Sequence, residues 1–164
     1  MSRTHALVLR SRLDAGRDAV WQWITGFDGI TRELMPLMRM TVPRGIRRLD
    51  DVQVVPGERL FRSVILLGGV VPVDYSDLTL IALTPGRGFV EESPMGSMAY
   101  WRHERCIEDR SDAPGVILVD RLRFRPRVAA IPALPPVRTL FRHRHAVLVR
   151  AFGGRGPELG DDAA

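Results

Sequence analysis

The strongest constraint in this chain lies between Glu58 and Pro126. There the apolar pattern repeats every second residue and is interrupted only by short, turn-rich pieces. Side chains on a strand alternate between faces, so this period marks strands. Five fit the text: Leu60–Leu67, ended by Gly68-Gly69; Asp74–Leu83, ended by Thr84-Pro85-Gly86; Gly88–Ser93, ended by Pro94-Met95-Gly96; Met98–Glu108, ended by 109–115; and Val116–Arg125, ended by Pro126. Connections this short leave no room for a crossover, so consecutive strands run antiparallel.

An antiparallel sheet of this kind needs helices to cover one face, and the flanking text supplies them. His5–Leu13 alternates in part and reads as a strand. Asp14 is placed to cap a helix running to Thr25, with Ala19, Val20, Trp23 and Ile24 on one face. Trp21 and Trp23 point different ways, so only one is expected fully inside. Gly26 to Gly29 reads as a break, and Ile30–Leu37 as a second short helix ended by Pro36. Arg39–Pro56 has no clear period and reads mostly as loop, with a short strand allowed at Val52–Val55. Val128–Pro136 holds three prolines and cannot be helical throughout.

The last apolar segment, Val137–Phe152, reads as a long helix. At 100° per residue, Val137, Phe141, Leu148, Ala151 and Phe152 fall on one side. Pro135 and Pro136 mark its start, and Gly153-Gly154 its stop. Residues 153–164 are Gly-rich and acidic without apolar period, and are expected as a disordered tail. The expected fold is α+β: a curved antiparallel sheet wrapped around a long C-terminal helix, with two short helices after the first strand. It forms one domain over residues 5–152, with a cavity between sheet and helix.

Composition excludes several alternatives. A chain of 164 residues suits one domain with a real core. No apolar run approaches the ~20 residues a membrane helix needs. The opening MSRTHALVLRSRL has charges within its apolar stretch and no cleavage signal, so a cytoplasmic protein is expected. Cys106 is the only cysteine, which excludes an intrachain disulfide and a Cys-based metal cluster. A net charge of +5 and a pI near 10.8 invite a nucleic-acid reading. But all 24 basic residues are Arg, scattered with no run longer than Arg47-Arg48, so no nucleic-acid partner is expected.

A few polar residues stand where apolar ones belong. Arg144 lies on the apolar side of the last helix, between Val137 and Ala151. It must either reach a rim or find a carboxylate, because an unpaired buried charge is costly. Asp120 shares a strand face with Leu118, Leu122 and Phe124; Trp101, His103 and Arg105 share a face of the preceding strand. Pairing Asp120 with Arg144 or with His103 satisfies both ends. Such a cluster pins helix to sheet, orients a ligand, or moves a proton, with His103 as general base and Asp120 fixing its tautomer. Tyr75, on the Tyr75-Asp77-Thr79-Ile81 face, is a further candidate; Glu91, on the side of Phe89, is a better one than Glu92. His143 and His145 lie about 200° apart on a helical wheel and cannot share an ion. No HExxH, EF-hand, P-loop, G-x-G-x-x-G or G-x-S-x-G spacing occurs, so neither metal nor cofactor is expected. Cys106, opposite Trp101, reads as inert packing.

The segments GFVEESPMGSMAYWRHERCIE, GVILVDRLRFRPR and LFRHRHAVL resemble bacterial members of the SRPBCC (START/Bet v 1-like) superfamily. The shared pattern falls here on Phe89, Glu91, Gly96, Trp101, His103, Gly115, Asp120, Pro126, Phe141 and Arg144. The resemblance spans residues 5–152 and implies the helix-grip fold with a hydrophobic ligand cavity. The superfamily includes lipid carriers, polyketide cyclases and aromatases, and coenzyme Q-binding proteins, so fold alone does not choose an activity. The first expectation is a binder of a hydrophobic small molecule. Phe89, Trp101, Phe124 and Phe141 would form its walls, with Glu91, His103, Asp120 and Arg144 at its polar end. The second is a cyclase or dehydratase using His103 and Asp120. The third is a protein-interaction module with an exposed apolar patch around Val128–Pro136.

Overall fold

The computed structural model describes residues 2–130 and 132–160. Along the chain run β1 (His5–Leu13), α1 (Arg17–Thr25), α2 (Phe27–Leu34), β2 (Met38–Met40), a short 3-10 turn (Leu49–Asp51), β3 (Arg59–Leu67), β4 (Val71–Thr84), β5 (Gly88–Glu91), β6 (Met98–Asp109), β7 (Val116–Pro126), α3 (Leu134–Phe152) and β8 (Gly154–Gly160). The strands form one eight-stranded sheet in the order β2-β3-β4-β5-β6-β7-β1-β8. Every neighbouring pair is antiparallel. The five strands of period two fall where their pattern predicts, and α3 covers the sheet, packing on β1, α2 and β8. This is the expected α+β helix-grip plan. Among the described residues no helix is long and apolar enough to cross a membrane.

The departures have local causes. Asp14 does not cap α1: the helix begins at Arg17 with Gly16 before it, and Asp14 accepts a 2.9 Å hydrogen bond from Arg110 instead. On α1 the buried face is Val20, Trp21, Ile24 and Thr25; Ala19 is exposed and Trp23 half-buried. The second helix starts at Phe27, not Ile30, so Gly29 lies inside it. A Cβ at Gly29 would run into the Trp23 carbonyl, so glycine there serves close contact between α1 and α2 and not a break.

Within the expected loop, Met38–Met40 pairs with Ile65–Leu67 as β2, while Val52–Val55 carries no strand. Three residues are too short to display a period. The helix α3 starts at Leu134, taking both prolines into its first turn, where they remove no needed donor. Ala151 is exposed there, contrary to the wheel.

The expected tail is corrected most clearly. Gly154–Gly160 is a strand, β8, paired with β1. Gly156 has φ 135°, and a Cβ on it would meet Ser11 Cα at 2.9 Å. The glycines that read as looseness let β8 lie against β1. Residues 161–164 of that expected tail lie outside the described residues.

Candidate functional site

The site begins with strand register. In the β6–β7 hairpin, Trp101 lies opposite Phe124, His103 opposite Leu122 and Arg105 opposite Asp120. All six point to the concave face, so Arg105 and Asp120 meet beneath α3. Arg105 donates through Nε to Asp120 Oδ1 and through Nη2 to Oδ2, each 2.7 Å. Its Nη1 reaches both oxygens of Glu33, on α2, at 3.0 and 2.8 Å. Asp120 also accepts from His103 Nε2 at 2.8 Å and from His145 Nε2 at 2.9 Å. His145 Nδ1 then accepts from the Ser11 hydroxyl at 2.8 Å. Glu33 takes two further donors, Trp23 Nε1 at 3.1 Å and Arg144 Nε at 2.8 Å. The cluster ties together β1, α1, α2, β6, β7 and α3.

Its electrostatics follow from burial against pairing. Burial opposes ionisation of Asp120, but Arg105 and His103 beside it hold the carboxyl well below the usual range. Burial alone would push Arg105 down; Asp120 and Glu33 reverse this and raise it. Arg144 differs. Burial and the like charge of Arg105 push its guanidinium down, against a weaker pull from Glu33.

Beside the cluster lies a cavity of about 520 Å³. The first half of α3 contributes Val137, Leu140, Phe141 and Arg144; β2 contributes Met38 and Met40; β6 contributes Met98, Trp101 and His103. Ile65, Val73 and Met95 complete much of the remaining apolar wall. The polar members are few: Asp74, Ser76, Glu91, Ser97, His103 and Arg144. Asp74 is committed to structure, since it accepts from the backbone N–H and hydroxyl of Ser97. Glu91 accepts from the Ser93 hydroxyl at 2.6 Å, and its other oxygen stands 3.6 Å from His103 Nδ1. That gap is too long for a direct hydrogen bond. His103 is held edge-on between Phe89 and Phe141, with ring centroids 5.6 and 5.1 Å away.

The expected site residues therefore separate. Trp101, His103, Glu91, Phe141 and Arg144 come together on the cavity wall. Asp120 stands behind that wall, fully buried, and reaches the cavity only through His103. Phe89 packs with Leu49, Phe61, Leu78 and Leu80, and Phe124 with Leu7, Leu9 and Leu122; neither lines the cavity. The proposed Asp120–Arg144 pair is not made: Arg144 bonds Glu33, while Arg105 and both His103 and His145 take Asp120. Tyr75 faces outward beneath the Arg62 guanidinium, 4.5 Å from its ring centre. His143 donates to the Met35 carbonyl at 2.7 Å. Cys106 lies on the outer face, where burial pushes its thiol up.

Around Val128–Pro136, Val128 is exposed but Ala133 is buried and Pro136 lines the cavity. The more prominent exposed apolar group is the β3–β4 turn, where Val70 is 77% exposed. Among the described residues, no three His, Cys, Asp or Glu side chains converge as metal ligands.

Sequence reading missed Glu33, Arg105 as a partner of Asp120, Ser76 and the methionines. Arg105 had a usable signal. A hairpin turning at 110–115 places Arg105 opposite Asp120, once its centre is fixed between 112 and 113. Glu33 had none, because an acid near the end of a short polar helix looks like surface.

Known structures share this architecture at low identity. Protein CV1439 from Chromobacterium violaceum superposes with a TM-score of 0.69 at 14% identity, over 92% of this chain and 98% of that one. The ginseng major latex-like protein 151 from Panax ginseng gives 0.59 at 6% identity, over 92% and 98%. DynU16, from the dynemicin biosynthetic locus, gives 0.58 at 10% identity, over 88% of this chain and 46% of that one. No curated protein matches the chain. The fold is that of the SRPBCC (Bet v 1-like) superfamily. Residues 11–152 match a domain of unknown function, DUF8410, and the chain belongs to that family.

Proposed function

We propose that the chain binds a hydrophobic small molecule in the cavity between the sheet and the first half of α3. The observation that carries this reading is the cavity itself: about 520 Å³ of mostly apolar wall with a few polar groups. Ligand sites combine this size and this lining. Trp101 and Phe141 supply flat apolar surface, and His103, Glu91 and Arg144 supply the groups that orient a polar end.

A second reading, a cyclase or dehydratase, draws on the bonding of His103. Its Nε2–H is committed to Asp120, which leaves Nδ1 as the basic atom at the cavity wall, across a 3.6 Å gap from Glu91. A ligand hydroxyl or acidic C–H placed there meets an imidazole whose tautomer and plane are already set.

Native mass spectrometry of gently purified protein, followed by extraction, tests both. A defined apolar ligand that His103→Ala keeps and Phe141→Ala loses supports the binder. A ligand that is chemically altered in His103→Ala supports the enzyme. Protein that carries nothing and takes up no apolar probe overturns both.

A further inference from the structure

Two arginines reach Glu33, and they are bonded differently. Arg105 uses Nε, Nη1 and Nη2, all to buried carboxylates. Arg144 uses only Nε; neither of its terminal nitrogens has a hydrogen bond to a described residue. Yet its side chain is only 9% exposed, and it forms part of the cavity wall. Its guanidinium lies over the Phe141 ring, 4.9 Å from the centre, which fixes its plane. Those two nitrogens are open to the cavity and not sealed within protein, so their acceptors come from water or from a ligand there. A second group on the same wall is also unmatched. The Ser76 hydroxyl is buried and, among the described residues, has no hydrogen-bond partner.

We propose that the cavity takes an amphipathic carboxylic acid, its carboxylate paired with the two terminal nitrogens of Arg144 and its apolar body lying along Met38, Trp101 and Phe141. This rests on the reading of the cavity as a ligand site. The terminal edge of a guanidinium matches a carboxylate in a two-pronged pair. A phosphate dianion fits less well, because one fork must then balance two charges beside Glu33 and Glu91. An amine would place a second cation against Arg144. The like charge of Arg105, which already weighs on Arg144, is relieved by an anion and worsened by a cation.

The test needs no variant at its first step. Calorimetric titration of the wild-type protein at neutral pH compares dodecanoic acid with methyl dodecanoate, dodecan-1-ol and dodecylamine. A parallel series compares naphthalene-2-carboxylic acid with its methyl ester. The acid is expected to bind about tenfold or more tightly than its ester in at least one series, the scale of a charge-assisted hydrogen-bonded pair. In Arg144→Gln that preference should collapse toward parity while the ester keeps its affinity. Arg144→Lys, which keeps charge but not the fork, should recover only part of it. Parity between acid and ester in both series, or an amine that outbinds the acid, overturns the proposal and leaves the hydrophobic-binder reading standing. An acid preference undiminished in Arg144→Gln overturns it too. If no member of either series binds, the ligand-site reading falls, and this proposal with it.

Discussion

The two ends of α3 sit over opposite kinds of interior. Near its C-terminus, Leu148 packs into a closed apolar cluster with Leu13, Val20, Trp21, Ile24, Ile107, Val116 and Leu118. Near its N-terminus, Val137, Leu140 and Phe141 face the cavity. One helix and one sheet make both. The difference comes from what α1 and β2 add. At the closed end α1 drops Trp21 and Ile24 between helix and sheet. At the open end the corresponding wall is the short edge strand β2, which brings only Met38 and Met40. The ionic cluster of Glu33, Arg105, Asp120 and His145 lies between them. Apolar side chains can repack into a neighbouring void, but charges that are mutually bonded cannot leave their partners. The cluster thus acts as a partition that keeps the closed core from filling the cavity.

The most forceful way to break this comparison is to remove the partition. Arg105→Leu removes the guanidinium between Glu33 and Asp120 and half of the hydrogen bonds to these two buried carboxylates, and should cost about 3–5 kcal/mol. Arg144→Leu leaves Glu33 still bonded to Arg105 and Trp23, and should cost about 1–3 kcal/mol. Urea unfolding of the two variants measures the gap. Equal costs would mean that the cluster is not centred on Arg105.

The next test compares truncations at the two ends. Leu148 is completely buried, so Leu148→Ala should cost about 2–5 kcal/mol. Met38 is half-buried on the cavity wall, so Met38→Ala should cost about 1 kcal/mol or less. Ligand affinity should respond in the reverse order, with Met38→Ala weakening binding and Leu148→Ala leaving it near wild type in whatever fraction remains folded. Paired denaturation and titration on both variants would show whether stability and binding are separable in this way.

These contrasts also explain what could be read from the residues alone. The period-two run from Leu60 to Arg125 announced the sheet, because alternation is a local property that needs no partner. Arg144 and Asp120 stood out for a similar reason: each is a charge on a face whose other members are apolar. Their pairing did not follow, since it depends on register and on where α2 lies. Glu33 was invisible because an eight-residue helix with a buried glycine gives little pattern to violate. The cavity residues escaped for another reason. Met38 and Met40 sit on a three-residue strand that exists only because β3 is there to pair with it. The strand β8 was hidden by glycines needed for close approach to β1 and read instead as slack.

Acid should act on the partition before it acts on either apolar end. Asp120 in the folded chain is held well below its ordinary value, so the unfolded chain binds the extra proton at low pH. Its contribution is therefore present above the unfolded value of about 3.9 and is lost as pH falls through the lower folded value. Stability measured by urea should be level near neutrality and fall steeply below about pH 4. A stability that held or rose on acidification would contradict the pairing of Asp120 with Arg105. Asp77 and Asp112 are lowered as well, but both are tied to surface arginines and should add little.

The smallest expected effect concerns the character of the two walls. The closed cluster contains no methionine among its buried members, whereas Met38, Met40, Met95 and Met98 all line the cavity. Leucine and isoleucine hold a few defined rotamers and specify one packing; methionine, unbranched and polarisable, adapts to what it meets. On the proposed ligand-site reading, a wall that adapts to different occupants gains from that freedom. Replacing each of the four with leucine nearly conserves volume, so stability should change by less than about 1.5 kcal/mol per site. Binding should change in breadth more than in strength. A titration series of apolar acids of differing width should show the wild type accepting a range that the four-leucine variant narrows to one or two shapes. If the variant accepted the full range at unchanged affinity, the methionines would be filling space as leucines do. The two ends of α3 would then differ only in how much wall they have, and not in its kind.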